Sequence, residues 1–388
     1  MDSAAGTCMV PARYRPLFSL AWLHFLNDGA ANFLPGILPL VLVAIHRPPA
    51  LAGTLMFALL AGQALQPLTG LLGRPLGGRR LMWTGLISAL LGAALVGWTS
   101  SLVGLVMVLV LIGIANACFH PQALSAARRF AGSRGHFGVA VMMLGGEIGR
   151  GLWPLIASLV VVGSAFHNLW MPALAGLITV PLAARLLPAP VVRSFAFHVH
   201  IRGRVGAACR LLLYAAVRGG VVTGAVTYMP ILWDSRGGGL VGGATLVTLM
   251  LLIGIVGMLY GGHLADRLGR RPVLVGAGLL MAGCTALIAS GSGTALWLGA
   301  SLLGIPAFAT FPVTTVEGQD LFPDNRPFGS GIALGLGNAL GAGLAALLGL
   351  SVGVIALQTL FWLLTVGALA TMPLALLLQG HMRTEEGR

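Results

Sequence analysis

Apolar residues run along this chain in long stretches, and polar residues gather in the short breaks between them. Twelve stretches can be marked, at 17–45, 50–72, 81–99, 101–122, 137–163, 167–187, 207–232, 240–264, 272–291, 294–316, 328–354 and 356–379. A helix crossing the apolar part of a bilayer needs about 20 such residues. The breaks fall at clusters of Gly, Pro and Arg, residues that end helices and anchor them at the interface. None of the stretches alternates residue by residue, as barrel strands do. The pattern predicts an all-α membrane protein of 12 transmembrane helices.

The stretches repeat. Shifted by 191 residues, Pro39 meets Pro230, Gly70 meets Gly261, and Gly113 meets Gly304. Gly78, Arg79 and Arg80 meet Gly269, Arg270 and Arg271, while Phe137 and Gly138 meet Phe328 and Gly329. A constant offset over roughly a hundred residues implies two equivalent units in one chain, a common plan for transporters. The expected domains are a six-helix bundle at 1–187, a cytoplasmic linker at 188–206 and a second, pseudo-symmetric six-helix bundle at 207–388. The linker is where the apolar pattern fails, around Pro188, Pro190, Arg193, His198, His200, Arg202 and Arg204.

Composition supports the membrane assignment. The chain is 57% hydrophobic and 9% charged, against about 25% charged residues in a soluble domain. The net charge of +13 invites a nucleic-acid reading. The distribution of arginines argues against it, because 19 of the 23 fall in the breaks of one side, while Arg47 and Arg236 lie on the other. That asymmetry is the positive-inside signature and puts both termini and the linker in the cytoplasm of an inner-membrane protein. No cleaved signal is expected at the N-terminus. Cys8, Cys118, Cys209 and Cys284 have no paired spacing and read as free thiols. His198-x-His200 is a weak metal cue in a basic loop, and solvated surface is the better reading; no metal and no cofactor are expected.

Charges inside the stretches matter more, since each costs roughly 2.5–3.5 kcal/mol on insertion scales and marks function by default. Asp28, Glu147, Arg150 and Arg218 each lie about 15–20 Å along their helices, near the middle of the bilayer. His24, Asp28 and Asn32 share a face of the first stretch at i, i+4 and i+8, with Asn27 beside them. Glu147 and Arg150 are i, i+3 in the fifth, with Trp153 nearby. Tyr214 and Arg218 are i, i+4 in the seventh. Proton coupling needs a carboxylate whose ionisation responds to desolvation. Asp28 with His24 is the first candidate and Glu147 the second. A guanidinium forks onto carboxylate or phosphonate oxygens, so Arg150, Arg218, Tyr214, Trp153, Asn27, Asn32 and Asn338 are the candidate substrate contacts. Glu317 and Asp320 read as helix-end acids, with Asp320 in the following loop. Bland readings compete throughout: Glu147 and Arg150 could simply neutralise one another, and Asp28 could anchor its helix by hydrogen bonds.

Between the eighth and ninth stretches the chain reads Gly262-x-x-x-Asp266-Arg267-x-Gly269-Arg270-Arg271. This resembles the loop signature of the major facilitator superfamily. The resemblance implies that Asp266, with Arg267, Arg270 and Arg271 around it, docks on a helix N-terminus of the opposite bundle, near Phe137, and latches the cytoplasmic side. A carboxylate on the positive end of a helix dipole is the physical basis. The first-half loop departs from the pattern, with Pro75 where the acid should stand.

Other elements narrow the resemblance: His24-Phe-Leu-Asn27-Asp28, Gln66-Pro67, Phe119-His120-Pro121 with Arg128 and Gly135-His136 following, and Gly145-Gly146. Together they look like the fosmidomycin-resistance type of exporter. His120 and Pro121 are expected at the cytoplasmic end of the fourth stretch, where the proline ends or bends the helix and His120 serves as a gate or relay. The sequence departs from that group at Gln122, Glu147 and Arg150, so the substrate need not be a phosphonate.

The resulting expectation is a secondary active transporter, a proton-coupled exporter of a small polar or anionic compound working by alternating access. Uptake of an organic anion, sugar or metal chelate by proton symport is the alternative. The partners are a small molecule, protons and the lipid bilayer, with no nucleic acid, and a monomer is expected. A channel would need a polar stripe at every level, whereas polar residues cluster at mid-depth. No nucleophile–base set, metal-spaced cluster or phosphate loop points to an enzyme.

Overall fold

The computed structural model describes residues 15–73, 75–131, 135–187, 201–291 and 293–378. Helices make up nearly all of it, and an isolated bridge between Val352 and Ile355 is the only β pairing among the described residues. Eleven helical spans among the described residues are long and apolar enough to cross a membrane. The first stretch is the exception. It is two helices, α1 (Arg15–Asn32) and α2 (Leu38–Ala44), separated by a 3-10 turn at Leu34–Gly36. Pro35 and Pro39 lack the N–H that a continuous helix would need there. Gly36 and Ile37 instead donate to the Phe33 and Leu34 carbonyls at 3.1 and 3.0 Å. His24, Asn27, Asp28 and Asn32 all lie in α1, so this helix gives up apolarity to carry chemistry.

The second stretch is also broken, into α3 (Ala52–Gln63) and α4 (Gln66–Leu72), with Pro67 in the first turn of the second piece. Next come α5 (Gly78–Val96), α6 (Leu102–Phe130), α7 (Gly135–Gly163) and α8 (Trp170–Arg185). Ser101 caps α6, its Oγ accepting from the Gly104 N–H at 3.1 Å, as helix starts prefer. The second half holds α9 (Val205–Asp234), α10 (Leu240–Leu268), α11 (Arg270–Ser290) and α12 (Gly293–Leu321). Its eleventh stretch is composite: α13 (Arg326–Ser330), a π-helical turn at Gly331–Leu336, and α14 (Gly337–Gly349). The last helix is α15 (Leu357–Leu378).

Three expectations need correction. Pro121 does not end its helix, because α6 runs through it to Phe130. Asp320 is not in a loop but in the last turn of α12, where Arg270 binds it. Asp266 and Arg267 also lie within a helix, at the end of α10, and the turn into α11 is Gly269 alone. Gly269 has φ +88°, a left-handed value that glycine reaches without strain. The linker residues 188–200 with the His198-x-His200 pair, the first-half loop residue Arg74, and the N-terminal arm lie outside the described residues.

The 191-residue repeat is visible in the packing. In the first half α1 packs on α7, α3 and α5 on α6, and α5 on α8. In the second, α9 packs on α14, α10 and α11 on α12, and α11 on α15. The matched glycines are contact points. Gly113 lies against the Leu59 carbonyl of α3, and its repeat mate Gly304 against the Met250 carbonyl of α10; a Cβ at either would overlap backbone. Small residues that let helix backbones touch are the usual glue of membrane bundles.

The halves meet along two related seams, α3 with α14 and α7 with α10. At the end remote from the arginine-rich loops, the Tyr228 hydroxyl of α9 accepts from the Gly53 N–H of α3 at 3.0 Å. Gly349 leaves room for that hydroxyl. On the arginine-rich face Asp266 is exposed and makes no ion pair or hydrogen bond among the described residues.

Candidate functional site

The first half concentrates its polar groups around Asp28. The His24 Nε2 lies 3.1 Å from Asp28 Oδ2, the i, i+4 contact expected from the sequence. From α6, His120 Nε2 stands 3.2 Å from Asp28 Oδ1 and 3.1 Å from His24 Nε2. Asn27 and Asn116 each donate an Nδ2 to Asp28 Oδ1 at 3.1 Å. Asn32 donates to the Asp28 carbonyl at 2.8 Å, so it closes the end of α1 and does not reach the carboxylate. His24 is held by its other nitrogen, with Nδ1 2.8 Å from the Met142 carbonyl of α7. His120 Nδ1 lies 3.0 Å from the Asn116 carbonyl. Gly146 of α7 abuts the His24 ring, leaving no space for a side chain.

His120 therefore stands beside Asp28, inside α6 and not at its end. The misplacement followed from taking Pro121 as the end of the fourth stretch. Asn116 was missed, although an asparagine one turn before His120 in an otherwise apolar run was a usable signal. Ligand atoms of His24, Asp28 and His120 lie within 4.8 Å of one another, a spacing that could hold a small cation. Glu147, on α7, is buried and within electrostatic range of Arg150, Asp28, His24 and His120. Its Oε2 is 3.8 Å from Arg150 Nη1, an ion pair too long for a hydrogen bond.

The second half carries a different arrangement. Arg218 is fully buried. Its Nη2 donates to Asn338 Oδ1 of α14 at 3.0 Å, and its guanidinium stacks on the Phe311 ring of α12, 4.3 Å from the centroid. Its Nε and Nη1 have no hydrogen-bond partner among the described residues, nor has the buried Tyr214 hydroxyl one turn away. The sequence pointed to Arg218, Tyr214 and Asn338 but not to Phe311, whose contact crosses between helices. Arg150 stands similarly over Phe308, 5.5 Å from the ring centroid. With Asn32, Thr223, Val222 and Val226 it lines a small cavity between the halves. Trp153 is buried against Gly29 of α1, so its ring serves helix contact.

The latch residues are also placed. Arg270 is engaged within its own half, with Nη1 2.7 Å from Glu317 Oε2 and Nη2 2.5 Å from Asp320 Oδ2. Asp266, Arg267 and Arg271 are exposed. The N-terminus of α7, the expected docking point, begins at Gly135.

Comparisons with known proteins agree with this architecture. The family model of the Major Facilitator Superfamily matches residues 20–334 and again 211–388. A Bacillus subtilis (strain 168) protein named uncharacterized MFS-type transporter YfnC is 25% identical over 353 residues, covering 87% of this chain and 85% of that protein. The fosmidomycin resistance protein of Escherichia coli (strain K12) is 24% identical over 374 residues, covering 90% and 89%. Among solved structures, a single-residue mutant of the nucleoside transporter NupG superposes with a TM-score of 0.80 at 14% identity, covering 95% of this chain and 100% of that one. An inward-facing bacterial homologue of the lysosomal transporter Spinster gives 0.73 at 15% identity, covering 95% and 96%. The chain is a multi-pass membrane transporter and not an enzyme, and it belongs to the Major Facilitator Superfamily.

Proposed function

We propose that this chain is a proton-driven exporter of a small organic anion, working by rocking of its two halves about the midplane. The observation that carries the reading is Arg218. A guanidinium buried inside a membrane protein, with two of its three nitrogens lacking partners, is costly unless an anion completes it. Asn338 and Phe311 contact the guanidinium, and the buried Tyr214 hydroxyl one turn away has no partner among the described residues. Phenyl stacking leaves the Nε and Nη1 edge free for a carboxylate or phosphonate fork. Arg150 and Asn32 line the cavity between the halves and would receive the rest of such a molecule.

Asp28 with His24 and His120 is the proton site in this reading, and Glu147 with Arg150 lies between it and the cavity. The separation suits exchange, since the proton cluster sits in the first half and the anion site in the second. Export is the direction favoured by the relative whose name is fosmidomycin resistance protein. The bundles 1–187 and 207–388 move as units on the linker 188–206. The arginine-rich face is cytoplasmic, which puts both termini inside an inner membrane. Asp266 docks on the α7 N-terminus when that face closes. The protein works as a monomer.

Arg218→Gln tests the anion site. Thermal-shift titration with fosmidomycin and a panel of small phosphonates and carboxylates identifies a stabilising compound with the unaltered chain. The variant should then lose about 1.5–3 kcal/mol of binding, the value of a charge-assisted hydrogen bond. Unaltered affinity in the variant would place the substrate elsewhere.

A further inference from the structure

Three side chains meet at Asp28 with acceptors turned toward one another. A carbonyl oxygen only accepts, so the contacts of His24 Nδ1 with the Met142 carbonyl and of His120 Nδ1 with the Asn116 carbonyl put a hydrogen on each Nδ1. Each neutral ring then points a bare Nε2 at the cluster. The two Nε2 atoms are 3.1 Å apart, and each stands within 3.2 Å of an Asp28 carboxylate oxygen. The Asn27 and Asn116 amides both donate to Oδ1, so neither serves Oδ2. Their own amide oxygens are buried with no hydrogen-bond partner among the described residues, as is Glu147 Oε2 of α7. A single proton on one Nε2 leaves at least one of the three contacts acceptor to acceptor, and a proton on both sets N–H against N–H. A cation in the middle is shared by all three groups, which removes the repulsion entirely.

We propose that His24, Asp28 and His120 form a binding site for a divalent transition-metal ion of the zinc type, with two imidazole Nε2 atoms and a carboxylate oxygen as its protein ligands. Around an ion with metal–ligand distances of about 2.0–2.2 Å, adjacent ligand atoms stand roughly 3.0–3.4 Å apart. The three side chains already hold that spacing. Two nitrogen ligands select zinc and its neighbours over magnesium or calcium, which take oxygen. Metal-ligating histidines need an acceptor behind the ring to fix tautomer and orientation. Here both have one, the Met142 carbonyl of α7 and the Asn116 carbonyl one turn back in α6. Asp28 and Glu147, which lies within electrostatic range, offset the charge of the ion. The way in is past His120, whose side chain is 21% exposed, against 13% for Asp28 and 1% for His24. Water fills the remaining coordination positions. The site does not depend on the proposed transport role. A bound ion, however, takes the atoms assigned there to the proton and ties α1 to α6. Zinc should therefore stop pH-driven transport, and that consequence rests on the proton reading.

Zinc titration of the full chain in detergent tests the site without a substrate. The chain carries His198→Gln and His200→Gln, so that this pair contributes nothing. Expected is one tightly held ion per chain that a large excess of magnesium does not displace. X-ray absorption at the zinc edge should show two imidazoles and oxygen at about 2.0–2.2 Å. His120→Gln and Asp28→Asn should each weaken zinc at least about a hundredfold, the upper end of what losing a mere supporting partner costs. A chain that takes up no zinc at micromolar concentration would overturn the inference, as would an absorption spectrum with fewer than two imidazoles. Neither result needs a variant to fold. Equal affinity in His120→Gln would put the ion elsewhere and overturn it too. The proton reading fails separately, if the zinc-loaded chain or Asp28→Asn still couples transport to a pH gradient.

Discussion

Arg218 and Asp28 are the two buried charges whose surroundings differ most. The Asp28 carboxylate accepts from two amides on two helices, α1 and α6, while Arg218 has one neutral oxygen, an aromatic face and two idle N–H groups. Replacing Arg218 by Lys should keep the charge but lose the forked geometry. Affinity for the compound found with the unaltered chain should fall at least tenfold, measured by the same thermal titration. Equal affinity in the lysine variant would mean that charge alone is recognised. The midplane charges could be read from sequence because a charge in an apolar stretch is conspicuous. Their partners could not. Periodicity reports neighbours on one helix, such as His24 and Asp28, but His120, Asn116, Phe308 and Phe311 meet these charges across helices.

At the scale of the element, the helices show where local rules hold and where packing overrides them. The breaks in the first and second stretches occur at prolines, as sequence chemistry requires, yet α6 carries Pro121 in its interior. Membrane helices tolerate such a proline because neighbouring groups satisfy the freed backbone, and reading Pro121 as a helix end misplaced His120 by its depth. The matched glycines were legible as scaffold. Gly113→Val should wedge α6 from α3, because even a Cβ there overlaps the Leu59 carbonyl. A loss of about 1–3 kcal/mol of stability is expected for such overpacking, measured as a lower thermal midpoint in detergent. A variant as stable as the parent would show that α3 and α6 can part freely. Arg270, which joins α11 to Glu317 and Asp320 of α12, is partly exposed, so its replacement by Ala should cost less than the 3–5 kcal/mol of a fully buried pair. It should leave anion affinity unchanged, since the clamp lies within one half.

For the whole molecule, the repeat supplies a frame that two seams join and the Tyr228–Gly53 hydrogen bond fastens at one end. Tyr228 and Gly53 tie the halves at the end remote from the arginine-rich loops, while Asp266 at the other end is unpaired among the described residues. The two ends thus differ in this conformation, as alternating access requires. Tyr228→Phe removes a hydrogen bond worth about 0.5–1.5 kcal/mol and should shift the population toward opening at that end by up to roughly tenfold. A cysteine-accessibility probe at Thr54 reads this directly, and unchanged labelling would show that packing alone holds the seam. Asp266→Asn should favour the conformation with the arginine-rich face open, raising labelling of single cysteines there. Nothing in the sequence announced Tyr228, because a tyrosine near a helix end is common and its partner is a backbone amide of the other half.

The division of labour between a proton site in one half and an anion site in the other is most directly tested in proteoliposomes with an imposed pH gradient. With the interior acid, the unaltered chain should accumulate the anion found in the thermal screen, and collapsing the gradient should abolish the accumulation. Asp28→Asn should still exchange labelled for unlabelled anion but should no longer accumulate it. Accumulation by Asp28→Asn equal to that of the unaltered chain would contradict the account.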